Sequence, residues 1–453
     1  MFKSGELARA CGGRLRSGKE DLSIRSISTD SRSLKRHSAF VAIKGDHFDG
    51  HDFIPAALKK GAVCVIVGKK AKPAAVPAGT CVIEVPDTLR ALGEIARYHR
   101  RRFTIPVIAV TGSNGKTSTK EMVAHLLSAR YNVLKNEGTK NNQIGLPLAL
   151  LGLNSGHDLA VLEIGSNHFG EVGYLSGICL PNIGIITNIG PSHLEHFRDL
   201  EGVFREKISL VRNLEGPRIA VLNADDRFLK AEINKTDNPV FVIGVALNQK
   251  ADFCVSALKF GDRGINFTVN RKHCFELKSP ARHNLYNALT AIAVARIFGI
   301  DYQSIGRKLS GFNFPQSRFN PVTLNNVKFI DDTYNSNPFS LSQALQSLGE
   351  LKVKGRKILI MGDMLELGDQ ELDFHAQAGR DAARVCDALI AVGRLSEEAA
   401  AAARQSGLDS KRVFTCRSAD QAREFLFDKL SPDGDDIILV KGSRRMKMEQ
   451  VFR

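Results

Sequence analysis

Between Thr111 and Thr117 the chain places two glycines, a lysine and three hydroxyl side chains, in the stretch "TGSNGKT". Those residue types at that spacing suit phosphate. Backbone N–H groups at a helix start, with the helix dipole, present positive potential to phosphate oxygens. Gly112 and Gly115 let the chain wrap closely with no Cβ in the way. Lys116 supplies a charge for β- and γ-phosphates, and the Thr117 hydroxyl is placed to bind Mg²⁺. The set Thr111, Gly112, Ser113, Asn114, Gly115, Lys116, Thr117 and Ser118 is therefore expected to bind ATP. The common G-x-x-x-x-G-K-[ST] pattern wants glycine at position 110, where Val110 stands, so the first glycine arrives two residues late. A plain glycine-rich turn with a surface lysine is the competing reading.

A phosphate loop needs a second magnesium ligand, usually an acid at the end of another buried strand. Glu163 in "LAVLEIGSNH" fits, since a buried carboxylate must be coordinated or paired. A structural salt bridge would satisfy it equally. In "ITNIGPSHLEHF" a third apolar run ends and delivers His193 to a loop, which suits a metal, phosphate or structural role.

The elements that must position these groups are legible as apolar runs. "IPVIAV" leads into the loop, and "STKEMVAHLLSA" reads as an amphipathic helix after it. "DLAVLEIG", "NIGIITNIG", "RIAVLNADD" and "PVFVIGV" read as strands buried on both faces of a parallel sheet. Before them, "SAFVAIKG", "AVCVIVG" and "TCVIEVP" are short strands around the helical "DFIPAALKKGA". A further helix runs from Asp87 to about Arg102, with Asp87 or Thr88 as N-cap. After the Pro/Asn/Gly-rich "GFNFPQSRFNP" the alternation resumes with "VKFIDDTY", "RKILIMGDM", "DALIAVG" and "DDIILVKGS". The expected fold class is α/β in three domains: a small α/β N-terminal domain (1–103), a central P-loop-type parallel-sheet domain (104–314) and a Rossmann-like C-terminal domain (315–453). A chain of 453 residues is long enough for that division.

Composition excludes several other classes. The eight cysteines are scattered with no C-x-x-C pair, which fits neither a disulfide framework nor a zinc site. No apolar run is long enough for a signal peptide or for a membrane helix of roughly 18 residues, so a cytoplasmic protein without membrane insertion is expected. A net charge of +15 suits anionic partners. The densest basic clusters, 97–103 and 441–448, are short, lack interleaved aromatics, and the chain has no tryptophan. Phosphorylated small molecules fit better than nucleic acid.

The motifs together resemble the Mur ligases, ATP-dependent amide-bond-forming enzymes of peptidoglycan synthesis. "TGSNGKT" matches that family's loop, glycine offset included. The likeness continues through "NNQIGLPLALL", "EIGSNHFGE", "TNIGPSHLEHF", "EGVFREKISLV", "ARHNLYNALTAIAVA", "RFNPV" and "IDDTYNSNPFSL". "DDTYNSNP", "MGDMLELG" (361–368) and "LVKGSRRMKME" (439–449) resemble the members that join D-alanyl-D-alanine to a UDP-N-acetylmuramoyl-tripeptide. The first 103 residues resemble their uridine-nucleotide-binding domain. These features speak against another branch of the family or a folylpolyglutamate synthase. A P-loop ATPase acting on nucleic acid has only the charge in its favour.

The resemblance implies roles. ATP would phosphorylate the tripeptide's terminal carboxylate, and the dipeptide amine would attack the acyl phosphate through a tetrahedral intermediate, with two Mg²⁺ ions as cofactors. Lys116 and Thr117 would cradle the γ-phosphate and first ion, and Glu163 would be a shared ligand. His193 would hold the second ion, with Lys207 if it is carbamylated; from its residues alone Lys207 is only a helix lysine. Asn284, beside His283, would lie near the adenine. Arg318 would reach the phosphates as the third domain closes, Asp331 the ribose, and Tyr334 and Asn335 the same cleft. Ser31 and Arg32 would meet the uridine diphosphate, flanked by Lys44, Asp49, Gly50 and His51; a plain polar turn is the alternative for "KGDHFDGHDF". "DMLELG" and Arg444 are candidates for the dipeptide site. The partners would be the UDP-tripeptide and D-Ala-D-Ala, with no nucleic acid, and the protein a monomer. Ser192 stands where the family often has alanine. "HFRDLEG" adds His196, Arg198 and Asp199 near the second-metal loop without removing an inferred ligand.

Overall fold

The computed structural model describes residues 2–45, 48–69, 76–235, 240–261 and 264–452. Three sheets carry the chain in sequence order, with a two-stranded ribbon, Phe2–Lys3 with Ser23–Ile24, beside the first. The first sheet has five strands, ordered Arg14–Ser17, Cys81–Val85, Ala62–Gly68, Ser38–Val41 and Ser26–Ser28. All its pairs are parallel except the first. The expected helix after it runs Thr88–Arg100, and Asp87 is its cap, accepting from the N–H groups of Leu89 and Arg90.

The central sheet has nine strands. Val107–Thr111, which leads into the phosphate loop, lies between Ile183–Ile186 and Leu159–Glu163. Its alternating side chains bury on both faces. Ile108 and Val110 join the core beneath helices Lys116–Leu127 and Asn284–Ile297, while Val107 and Ala109 join the core of Gly145–Leu150 and Glu171–Cys179. Double burial is why these runs are continuously apolar. The phosphate-loop helix departs from the amphipathic expectation: of its 12 residues only Lys116, Glu121 and His125 are not buried. It is packed between the sheet and Asn284–Ile297, so even Lys120 is fully buried, with its ammonium donating to the carbonyls of Asn136 (2.5 Å) and Gly138 (2.9 Å).

At its far edge the central sheet gains antiparallel strands that the apolar-run reading does not anticipate: Phe253–Gly261, Gly264–Val269 and His273–Leu277. Gly264–Val269 and His273–Leu277 mix buried with exposed positions and Phe253–Gly261 has none fully buried, as expected of strands covered on one face.

Residues 311–319 carry no regular element, where the boundary is expected. The third sheet then orders Asn320–Leu324, Val327–Asp332, Ile437–Lys441, Lys357–Gly362, Ala388–Val392 and Val413–Cys416, parallel except at its first pair. Among the described residues no helix is long and apolar enough to cross a membrane.

Candidate active site

The phosphate loop is built by its glycines. Gly112 has φ +138° and Gly115 φ +79°, both unfavourable for other residues, and a Cβ on Gly112 would sit 2.0 Å from Thr187 Oγ1. Gly115 opens the helix Lys116–Leu127. The loop is braced from the neighbouring strand end. Asn114 N–H donates to Asn188 Oδ1 (3.0 Å), while its carbonyl accepts from Thr187 Oγ1 (2.5 Å) and Asn188 Nδ2 (3.0 Å). Ser113 Oγ donates to the Gly190 carbonyl at 2.8 Å. Lys116 Nζ folds back onto the carbonyls of Gly112 and Ser113 at 2.8 and 3.2 Å, and burial lowers its pKa.

The loop opens into a cavity of about 640 Å³ between the central and third sheets. Ser113, Asn114, Gly115, Lys116, Thr117 and Ser118 line it, whereas Thr111 and Gly112 lie behind. Thr111 is fully buried and donates through Oγ1 to the Ile164 carbonyl.

Glu163, 1% exposed, also lines the cavity. Its Oε1 accepts from Asn141 Nδ2 at 2.6 Å, but its buried Oε2 has no protein partner. The structural salt bridge that competed with a metal role in the sequence is absent among the described residues. An orphaned carboxylate oxygen beside a phosphate loop and the Thr117 hydroxyl fits a divalent cation. Among the described residues no three His, Cys, Asp or Glu side chains converge on one point, so phosphate oxygens would complete such an ion's shell.

His193 reaches the cavity from the next strand end, and its Nδ1 lies 2.6 Å from Glu366 Oε2 of the third domain. Both residues sit in the left-handed region, at φ 51° and 66°, where non-glycine residues are uncommon and strain often accompanies function. Lys207, 1% exposed, lies just behind the cavity wall, with Nζ donating to Ser166 Oγ at 2.6 Å. Burial, then the nearby Lys116, pulls its pKa from 10.5 to about 7.

The third domain closes the cavity. Arg318 stacks on Tyr334, its guanidinium carbon 3.6 Å from the ring centroid, and donates to Thr117 Oγ1 at 3.4 Å. Asn284 and Asn335 line the same space. Asn284 belongs to a buried chain in which Asn287 Nδ2 donates to Asn284 Oδ1 and Asn284 Nδ2 to Ser279 Oγ, each at 2.9 Å. His283 lines the cavity with Nδ1 buried and unpartnered, and burial lowers its pKa to about 4. Asp331 is turned away, accepting from Ser317 Oγ and from Thr333; Asp332, held by Lys441 at 2.6 Å, faces the cavity instead. Leu365, Glu366 and Leu367 of "DMLELG", with Arg444, also line the cavity.

Three family models match consecutive parts of the chain. They are the Mur ligase family, catalytic domain over 23–100, the Mur ligase middle domain over 110–295, and the Mur ligase, glutamate ligase domain over 317–444. The UDP-N-acetylmuramoyl-tripeptide--D-alanyl-D-alanine ligase of Bacillus subtilis is 32% identical, covering 96% of this chain and 93% of that protein. The chain belongs to the Mur ligase family. The protein of the same name from Escherichia coli is 34% identical, over 96% of this chain and 94% of its own. Among solved structures, a MurF from Acinetobacter baumannii superposes with a TM-score of 0.89 at 31% identity, covering 99% of this chain and 97% of that one. A MurF from Thermotoga maritima in complex with ADP reaches 0.84 at 26%, covering 96% and 97%.

In this Mur ligase the residues expected to meet the uridine diphosphate stand apart from the cavity. None of Ser31, Arg32, Lys44, Asp49, Gly50 and His51 lines it. They follow the carboxyl ends of the parallel strands Ser26–Ser28 and Ser38–Val41, where α/β sheets bind ligands. His51 is oriented: Nε2 accepts from Gly68 N–H at 3.1 Å, so Nδ1 carries the proton toward Asp49 at 2.5 Å. Lys44 bridges Asp49 along the backbone, and a Cβ on Gly50 would press within 2.5 Å of the Ile43 carbonyl. Arg32 is 89% exposed and, among the described residues, is bonded to Asp30. Residues 46–47 of "KGDHFDGHDF" lie outside the described residues.

Sequence reasoning missed Asn141, Glu366, Asn337 and Asp332. Asn141 sits in "NNQIGLPLALL", whose residue types give it no distinct chemistry, and Glu366 in "DMLELG", which the sequence marks only as a candidate dipeptide segment.

Proposed function

We propose that this Mur ligase joins D-alanyl-D-alanine to UDP-N-acetylmuramoyl-tripeptide with cleavage of ATP to ADP and phosphate. One observation carries the reading most of the way. A single cavity runs from the phosphate loop, past the orphaned Glu163 oxygen, to the "DMLELG" segment and Arg444. One enclosure would then hold ATP, the carboxylate and the amine, and among the described residues no cysteine lines it.

The steps follow from that arrangement. A tripeptide carboxylate oxygen attacks the γ-phosphorus, the bond to the β-phosphate oxygen breaks, and ADP leaves. The dipeptide amine then adds to the acyl carbon and loses a proton, and the C–O bond to phosphate breaks. Catalysis is positioning plus neutralisation of crowded negative charge. Lys116 turns from its loop carbonyls to the γ-phosphate, Arg318 stabilises the transferring group, and Asn284, Tyr334 and Asn335 hold the nucleotide. Thr117, Glu163 and His193 would hold two Mg²⁺ ions, which when bound supply further charge neutralisation. Asp332 is better placed than Asp331 to meet the nucleotide. In its neutral form the Lys207 amine can add CO₂ and lose a proton, giving a carbamate anion that would help hold the second ion. Glu366 would then orient His193 through Nδ1, leaving Nε2 for the metal.

In this reading residues 1–103 hold the uridine diphosphate through Ser31, Arg32, Lys44, Asp49, Gly50 and His51. Residues 104–314 bind ATP, and 315–453 bring the dipeptide. The protein works as a cytoplasmic monomer and does not use nucleic acid. The test is phosphate release from ATP with UDP-MurNAc-tripeptide, with and without D-Ala-D-Ala. Release that requires both supports the reading; release driven by DNA, or by glutamate with a folate, overturns it.

A further inference from the structure

The third-domain helix Pro338–Glu350 begins directly against the phosphate loop, and its cap residue Asn337 makes two separate sets of bonds. Toward its own helix, Oδ1 accepts from Ser340 N–H at 2.8 Å, and its backbone N–H donates to Ser340 Oγ at 3.0 Å. Toward the central domain, Nδ2 donates to Asn114 Oδ1 at 2.9 Å, and Asn114 Nδ2 returns a longer bond at 3.3 Å. Capping needs only an acceptor, which serine or aspartate supplies as well. The amide donor is what the phosphate loop uses.

Asn114 is braced through its backbone by Thr187 and Asn188, so its side chain reports the shape of the loop. Near by, Phe339 packs on Gly190, where a Cβ would come within 3.1 Å of the ring. Gly190 starts the loop that carries His193. One helix end therefore touches both the phosphate loop and the His193 loop.

We infer that Asn337 is a positioning residue, whose reciprocal amide pair with Asn114 couples the shape of the phosphate loop to the seating of the C-terminal domain. Polar side-chain bonds also cross this junction, among them Arg318 to Thr117, Glu366 to His193, and Arg282 to Glu350 and Ser347, beside small apolar contacts such as Phe339 on Gly190. Domains joined in this way move relative to one another by default. A loop shaped by nucleotide holds the Asn114 amide toward Asn337 and favours the seated state; a loop that relaxes releases it. Seating matters for turnover on the reading given above, in which the C-terminal domain brings the amine.

The test uses the full chain with Asn337→Ser, which keeps the cap and loses the bridge. The expected result is a dipeptide KM raised about tenfold, the size of one or two neutral hydrogen bonds. ATP affinity stays within about twofold, and nucleotide-dependent compaction in small-angle scattering is reduced. Asn337→Asp keeps the cap and one bond, and falls between. In a double-mutant cycle with Asn114→Ala, the doubly substituted enzyme is no worse in dipeptide KM than the weaker single. Wild-type dipeptide KM and compaction in both Asn337 variants, or strictly additive effects in the cycle, overturn the inference. If the wild-type enzyme does not use the dipeptide at all, the functional reading fails instead, and compaction alone then decides the role of Asn337.

Discussion

The phosphate-loop cavity of this Mur ligase and the N-terminal residues proposed to hold the uridine are built on opposite plans. At the ATP end Glu163 and Lys207 are almost wholly buried, and Asn114 is held by the ends of a neighbouring strand. At the N-terminal end, where we propose the uridine diphosphate binds, Arg32 projects into solvent beside Asp30, while His51 is oriented between Asp49 and the Gly68 N–H. The difference matches the work. Phosphoryl transfer needs charges fixed before the substrate arrives, because reorganising them would raise the barrier. Recognition of a nucleotide handle far from the reacting atoms needs affinity, which exposed groups can supply as they close on the ligand.

That contrast is breakable by substitution. Lys116→Ala should lower kcat/KM by roughly 10³-fold or more, with Tm within a few degrees of wild type; retained turnover would remove Lys116 from the phosphate site. Lys207→Ala should cost about 10²-fold in kcat, and short carboxylic acids should restore much of it. Failure of rescue would count against a carbamate as the working group. At the other end, His51→Ala should raise the KM for UDP-tripeptide by about tenfold while leaving ATP affinity unchanged. A large fall in kcat from His51→Ala would show that the two ends are not separable in the way described.

The smallest effect concerns stability. The His283 imidazole, buried with Nδ1 unpartnered, titrates at about 4 in the fold against 6.5 in an open chain. Between those values the unfolded chain binds more protons, so folding stability falls as pH drops from 6.5 toward 4. His283→Phe should flatten the decline of Tm across that window; parallel curves would contradict the assignment.

Much of this was legible in sequence, for a physical reason. Strands buried on both faces write continuous apolar runs, and the groups that matter sit where those runs end, as Glu163 and the loop of His193 do. The edge strands 253–277 escaped because half-exposed strands alternate and carry lysines and asparagines. Asn337 and Glu366 escaped differently. Their partners lie 223 and 173 residues away, and no spacing rule links an amide in one domain to an amide in another. Asp331 is the acid that the family resemblance implies for the ribose; two acids are adjacent there, and only the strand's pleat decides that Asp332 faces the cavity.

The central claim is that the tripeptide carboxylate, rather than water or a protein group, accepts the γ-phosphoryl group. Oxygen-18 at both oxygens of that carboxylate tests it most directly, by mass analysis of the phosphate released in the presence of ATP and D-Ala-D-Ala. The account predicts one labelled oxygen in each phosphate formed per amide bond made. Amide product accompanied by unlabelled phosphate would contradict it.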